Sequence, residues 1–354
     1  MSNGYLNIKL QPFSASTDVI IRLILCNIHH LKPRMQYLTR LPPAIFLMGL
    51  TASGKSRIAL DIAENFPVEI ISVDSAQVYR HLDIGTAKPD PATLTQTPHH
   101  LINLIDPNQH YSAAQFRHDA LNVMNEITQR NKIPLLVGGT MLYFRALQDG
   151  LSILPSADKN LRLMLENMAN ELGWPAMHQK LEELDQETAA RIKPTDSQRI
   201  QRALEVCYLT QKPMSEILRT PRQADFPYQK ISIALIPGDR SQLHRRIEER
   251  FEAMLNHGLI DEVQSIRQRF SLDIEFPSMR CVGYRQTCLY LDNKINSAEL
   301  REMGIAATRQ LAKRQLTWLR GMKTDEVKEF DCLTGDLTAQ VQHFLHAAIQ
   351  KQAF

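Results

Sequence analysis

Several things are missing from this sequence, and each absence closes off a class of function. Its 354 residues include five cysteines, Cys26, Cys207, Cys281, Cys288 and Cys332, but no C-x-x-C pair and no Cys/His array with zinc-finger spacing. That speaks against a structural zinc module and favours reduced thiols in a cytoplasmic chain. Excess charge is scarce as well: the formal net charge is +3, too small for a general polyanion-binding coat, so any basic footprint must be local. Residues 19–28 are apolar apart from Arg22 and Asn27, but a bilayer span needs about 20 such residues. A basic leader and a small-residue cleavage site are also lacking, so neither a signal peptide nor a membrane partner is expected. No internal repeat, no low-complexity segment and no guanine-selective N-K-x-D element occurs, which removes the repeat architectures and a nucleotide-switched RNA-binding protein. A hydrophobic content of 44% is enough for a substantial core, and the length suggests about two domains.

Against that background one motif stands out. Gly49-Leu50-Thr51-Ala52-Ser53-Gly54-Lys55-Ser56 fits G-x-x-x-x-G-K-[ST], after the apolar run Ala44-Ile45-Phe46-Leu47-Met48 and before Arg57-Ile58-Ala59-Leu60. The order reads as strand, loop, helix, the context the motif requires. The glycines let successive N–H groups and the helix N-terminus converge on one anionic group; Lys55 adds charge, and Ser56 adds a hydroxyl for Mg²⁺. A phosphate-bearing ligand is expected. The motif alone leaves open whether that phosphate is transferred, hydrolysed or expelled.

Beyond the motif, strands and helices alternate, predicting an α/β fold: a P-loop NTPase-like parallel sheet flanked by helices, with a helical insertion domain. Val68-Glu69-Ile70-Ile71-Ser72-Val73 is a strand ending at Asp74, and Ile133-Pro134-Leu135-Leu136-Val137 is another ending at Gly138-Gly139-Thr140. Both end in polar residues, where open α/β sheets place ligands. Residues 113–131 have helical spacing with Phe116, Ala120, Val123 and Ile127 on one face. The expected division is an N-terminal extension over 1–40, the first part of the core over 41–156, the helical insertion over 157–227, the second part of the core over 228–325 and a C-terminal tail over 326–354. The extension reads as a disordered tail or the product of an over-long reading frame, with a packed amphipathic helix over 18–30 as the alternative.

Basic residues gather in three places outside the loop. Gln198-Arg199-Ile200-Gln201-Arg202 lies in the insertion, Arg280-Cys281-Val282-Gly283-Tyr284-Arg285 reads as a glycine-containing turn, and Lys313-Arg314-Gln315-Leu316-Thr317-Trp318-Leu319-Arg320 lies in a late helix over 298–320. Residues 304–324 contain no Asp or Glu. A cationic face with an aromatic can track a nucleic-acid backbone and stack on an unpaired base; the alternative is a solvated face with Trp318 in the core. Arg246 and Arg250 stand at i, i+4, spaced to clamp an oligophosphate or to pair with Glu248 and Glu249. Asp74 at its strand end suits either a base or a residue ordering Mg²⁺ through water.

These segments, with Ile71-Ser72-Val73-Asp74-Ser75-Ala76-Gln77-Val78-Tyr79, Asp83-Ile84-Gly85-Thr86-Ala87-Lys88-Pro89 and Gly138-Gly139-Thr140-Met141-Leu142-Tyr143, resemble the bacterial tRNA dimethylallyltransferase (tRNA isopentenyltransferase) family, in family order from about residue 43 to about residue 320. Leu50 stands where many relatives have proline, and the zinc finger of eukaryotic relatives is missing. The resemblance implies transfer of a dimethylallyl group from dimethylallyl diphosphate to N6 of adenosine 37 in the tRNA anticodon stem-loop, for tRNAs reading codons that start with U. It implies Mg²⁺ as cofactor, Asp74 as base, Thr51 at the substrate end of the loop and Arg250 beside the leaving diphosphate. It implies tRNA contacts at Asp74, Ser75, Ala76 and Gln77, at Thr140 and Arg162, and along the three basic segments named above. A monomer is expected. The rival activities are phosphorylation of a small molecule by a P-loop kinase and prenylation of free AMP.

Overall fold

The computed structural model describes residues 41–152, 154–220, 225–322 and 326–353. The expectation for residues 1–40 lies outside the described residues. Among the described residues, 41–42 and 227–229 fall in one compact unit and the rest in another; apart from Gln229 at the start of β5, everything below belongs to the second.

Strand β1 (Pro43–Gly49) is buried along nearly its whole length, as a strand covered on both faces must be. Pro43 costs no ladder bond at the strand start. Helix α1 (Lys55–Asn65) follows the loop, and β2 (Val68–Val73) pairs in parallel with the two-residue strand β3 (His99–His100) beyond the short helix α2 (Pro91–Gln96). Helix α3 (Ala113–Gln129) opens with a capping box between Ser112 and Gln115. Its buried face is Phe116, Ala120, Met124 and Ile127, so Met124 and not Val123 completes the stripe expected from the sequence. Strand β4 (Ile133–Gly138) then inserts between β1 and β2, parallel to both, and α4 (Met141–Asp149) leaves its end.

Five helices come next: α5 (Lys159–Leu172), α6 (Trp174–Leu184), α7 (Gln186–Arg191), α8 (Ser197–Thr210) and α9 (Met214–Arg219). They bury an apolar cluster of their own, including Leu165, Met177, Leu181, Ile200 and Leu204. Asp158, Asp185 and Asp196 cap three of them, and Asp185 also accepts the Ser215 N–H at 2.7 Å, linking α7 to α9.

The sheet resumes with β5 (Gln229–Ile236), followed by α10 (Arg240–Asn256), α11 (Leu259–Phe270), α12 (Tyr284–Leu291) and α13 (Ser297–Gly321). Gly304 lets α13 lie close to α10, because a Cβ there would fall on the Phe251 ring. The chain then makes β6 (Val327–Asp331), parallel to β5, and α14 (Leu337–Ala353). The expected C-terminal tail is therefore corrected: residues 326–353 complete the sheet and cover it. Strand β6 escapes sequence reading because only Phe330 of Val-Lys-Glu-Phe-Asp is buried, as suits an edge strand.

Strand order is β3-β2-β4-β1-β5-β6. One face of the sheet packs Ile45, Leu47, Ile70, Leu135, Ile233, Leu235 and Phe330 against Ile58 and Ile62 of α1 and Val341 and Leu345 of α14. Each such side chain contributes about 1.5–3 kcal/mol by leaving water. On the other face Phe46 packs on Phe144, ring centroids 5.3 Å apart, while Phe116 stacks on Tyr143 at 4.4 Å. The chain leaves β1 toward β2 on one side and later returns to place β5 on the other, so β1 ends at a switch point, where such sheets bind ligands.

Candidate active site

The loop after β1 is shaped by its glycines. A Cβ on Gly49 would lie 2.7 Å from Ser53 Oγ, and Gly54 sits at φ 81 immediately before α1. Ala52 also takes a positive φ of 63, a conformation that costs a non-glycine residue free energy. No side chain caps α1, so its first-turn N–H groups keep the positive end of the helix open to an anion. Thr51, Lys55 and Ser56 line a cleft of about 140 Å³ at the ends of β1, β2 and β4.

Asp74 enters that cleft from the end of β2. Its Oδ1 accepts the Ala76 N–H at 2.8 Å and the Gln77 N–H at 3.4 Å, an Asx turn that fixes the side chain, while Oδ2 takes no hydrogen bond from the described residues. Gly138 permits the close approach of β4, since a Cβ there would fall on the Val73 carbonyl. Thr140 Oγ1 accepts the Ser75 N–H at 3.0 Å and steadies the same turn.

Arg250 reaches the cleft from α10, whereas Arg246 donates to the Cys332 carbonyl at 3.1 Å, so the two arginines do not act as a pair. Glu248 turns instead to Arg301 and Arg309. Burial, then the charge of Arg250, lowers the Lys55 pKa to about 8. Arg250 is likewise lowered by burial, partly offset by Asp74. Two desolvated cations held close with one carboxylate beside them are a receptor for more negative charge than the protein supplies. Cys281, at the cleft wall, is pushed up to about 12, by burial first and the Asp74 charge second, so it is a neutral thiol and no nucleophile.

The wall formed by residues 83–87 is held by a residue that sequence reading missed. Glu262 of α11 accepts N–H groups of Asp83 at 3.0 Å, Ile84 at 2.7 Å and Gly85 at 3.3 Å, and the Tyr284 hydroxyl at 2.5 Å. A Cβ on Gly85 would fall on the Tyr284 ring. Lys88, nearly inaccessible, donates to the Tyr79 carbonyl, Asp83 and Asn103 and closes the same loop. A lone Glu among polar helix residues carries no sequence signal for such a task; the glycine at 85 was the available hint.

Of the expected site residues, Thr51, Lys55, Ser56, Asp74, Ala76, Gln77, Arg250, Cys281, Val282, Tyr284 and Gln315 converge on the cleft. Residues 162 and 198–202 do not line it. Ile200 is wholly buried within the helical cluster, and Arg162 and Arg202 both grip the buried Glu205, at 2.9 and 2.6 Å. Gln201 bonds Glu166, while Gln198 and Arg199 are exposed. Tyr284 is wholly buried and opens α12, so the segment read as a turn is one only over 280–283 and becomes helix at 284; Arg280 and Arg285 remain exposed. On α13, Lys313, Arg314, Thr317, Trp318 and Arg320 are exposed, whereas Leu316 and Leu319 are buried. Trp318 is 37% exposed and therefore no core residue.

Among the described residues no cluster of three or more His, Cys, Asp or Glu could hold a metal, and no helix is long and apolar enough to cross a membrane. Cys207, Cys281, Cys288 and Cys332 form no disulfide.

A family model described as IPP transferase matches residues 77–322. A protein of Nitrosospira multiformis named tRNA dimethylallyltransferase is 65% identical over 304 residues, 86% of this chain and 94% of that protein. The crystal structure of the full-length tRNA isopentenylpyrophosphate transferase of Bacillus halodurans superposes with a TM-score of 0.64 at 33% identity, covering 89% of this chain and 98% of that one. A eukaryotic dimethylallyltransferase acting on tRNA gives a TM-score of 0.72 at 25% identity, covering 85% of this chain and 77% of the other. The sheet and its phosphate loop are thus the P-loop NTPase-like fold of the tRNA isopentenyltransferases. Since the family model spans more than half of the sequence, the chain belongs to the IPP transferase family.

Proposed function

We propose that this protein transfers a dimethylallyl group from dimethylallyl diphosphate to N6 of adenosine 37, next to the anticodon, in tRNAs that read codons starting with U. The observation that carries the reading is the composition of the cleft. An anion-binding loop with two desolvated cations, Lys55 and Arg250, faces a carboxylate, Asp74, that is fixed by two backbone N–H groups. That is a site for a leaving diphosphate at one end and for a proton at the other.

In the reaction the N6–C1 bond forms as the allylic C1–O bond breaks. The electron pair of that bond leaves with diphosphate, and the N6 proton passes to Asp74. An adenine amine is a poor nucleophile because its lone pair is delocalised, so a carboxylate accepting the proton during bond formation accelerates attack. The α1 N-terminus, Lys55 and Arg250 stabilise the charge that grows on the leaving oxygens. Thr51 lines the same cleft, where its hydroxyl can meet the adenine amine or the diphosphate. Ser56 and Asp74 are hard oxygen donors lining one cleft, a set that fits Mg²⁺ bound largely through substrate phosphates. When bound, Mg²⁺ would neutralise diphosphate charge. The target base must leave the anticodon-loop stack to reach Asp74, and exposed Trp318 with the cations of α13 offers stacking and phosphate contacts for the loop. The tRNA substrate implies a cytoplasmic protein, and we expect a monomer.

The test is incubation with radiolabelled dimethylallyl diphosphate and Mg²⁺, offering unmodified tRNA, free AMP or neither. Label should enter tRNA alone. Label in AMP would favour the free-nucleotide reaction, and ATP turnover without RNA would favour a kinase.

A further inference from the structure

The stretch from Lys313 to Arg320 reads in sequence as one RNA contact, yet its third residue faces the other way. Gln315 lines the cleft, its Oε1 accepting the Thr51 N–H at 2.8 Å and its Nε2 donating to the Gly139 carbonyl at 3.0 Å. The partners fix the amide orientation, because a flipped amide would set donor against donor at one end and acceptor against acceptor at the other. Gly139 leaves room for the bridge: a Cβ there would fall on Gln315 Nε2. One side chain thus joins the phosphate loop, the end of β4 and α13.

The loop needs such support. Its own fastenings are few, the Ser53 N–H on the Leu50 carbonyl at 3.2 Å and Lys55 Nζ on the same carbonyl at 2.9 Å, and it carries positive φ at Ala52 and Gly54. Thr51 lines the cleft, and among the described residues the one side-chain hydrogen bond to its backbone comes from Gln315 of α13. We infer that Gln315 is a positioning residue and not an RNA contact: from the helix whose outer face carries Lys313, Arg314 and Trp318, it sets the mouth of the phosphate loop and with it the Thr51 hydroxyl. Its kinetic consequence rests on the proposed prenyl transfer; its effect on anion binding does not. Removing the bridge strands a part-buried N–H and a carbonyl and lets the loop relax, and small misplacements of reacting groups are costly to rate.

The test compares the full-length wild type with Gln315→Met, which keeps the length of the side chain and loses both bonds, and with Gly139→Ala, which displaces the same amide without touching α13. Three quantities are read: affinity for inorganic pyrophosphate with Mg²⁺ by calorimetry, affinity for unmodified tRNA, and the single-turnover prenylation rate at saturating substrates. Each variant should weaken pyrophosphate binding several-fold and slow the single turnover by about tenfold or more, with tRNA affinity within about twofold of wild type. The double variant should lose little beyond either single one, since both break one bridge. Weakened tRNA binding with unchanged pyrophosphate affinity would make Gln315 an RNA contact and overturn the inference, as would three unchanged quantities. If Gln315→Met fails to fold, Gly139→Ala decides by the same readings. A wild type that binds pyrophosphate but prenylates no tRNA would defeat the proposed function, leaving the pyrophosphate comparison to judge Gln315 on its own.

Discussion

The cleft and the helices over 159–219 both bury charge, but they treat it in opposite ways. In the helical segment Glu205 is wholly buried and fully answered, by Arg162, Arg202 and the Asp158 N–H. Burial alone would push its carboxyl up, yet those bonds prevail and hold it below the usual carboxylate range. In the cleft, Lys55 and Arg250 are both half-buried; burial disfavours each charge, and the charge of Arg250 further disfavours that of Lys55. Satisfied charge tightens a structure, whereas charge left wanting marks where a ligand completes the electrostatics.

The comparison is broken most severely at Asp74. Asp74→Asn should lower the single-turnover rate by about 10²–10⁴ while leaving pyrophosphate affinity equal or improved, because a negative charge beside Lys55 is removed. Loss of pyrophosphate binding would reassign Asp74 to Mg²⁺.

Lys55 sharpens the comparison through pH. Its pKa near 8 means that below pH 8 the protein meets the anion already charged. Above that value binding must take up a proton, so pyrophosphate affinity should fall by up to about tenfold per pH unit. Arg250, Asp74 and Cys332 also act on Lys55, but the slope should vanish in Lys55→Arg, whose guanidinium stays charged. A slope that survives the substitution would belong to another group.

Glu205 tests the other side. Glu205→Ala should cost about 2 kcal/mol of unfolding free energy, because Arg162 and Arg202 are left without their acceptor yet still reach water. Denaturant unfolding would show this, with pyrophosphate affinity of the folded variant unchanged. A stability unchanged from wild type would mean that the ion triad merely breaks even with its desolvation.

The smallest effect is expected at Lys313. Lys313→Ala should weaken tRNA several-fold at physiological salt and reduce the slope of log affinity against log salt by about 1. An unaltered slope would remove that lysine from the phosphate contacts.

What could be read in advance follows the locality of the signal. Strand, glycine loop and helix over 43–65 are contiguous, and each residue type there has a local reason, so the fold and the open, uncapped start of α1 were legible. Asp74 was legible because it ends an unbroken apolar strand. Glu262 was not: its partners lie some 180 positions away at 83–85, and nothing local distinguishes it from a solvated helix residue. The inward aim of Gln315 at Thr51 and Gly139 was not legible, because a basic stretch suggests one direction for all its members, while on a helix neighbours point apart by about 100°. The sixth strand was hidden by its charged edge.

That last strand also bears on how the molecule comes into being. Phe330, Val341 and Leu345 share one apolar cluster with Ile45 and Ile58, and Thr338 donates to Asp61 of α1 at 2.8 Å. The phosphate loop is thus underlain by residues made some 280 positions later. A chain still on the ribosome would expose the flank of α1 and the bare edge of β5 until those residues emerge, a long wait with a sticky surface. Native anion binding should therefore arrive late in synthesis, as a property of the finished sheet.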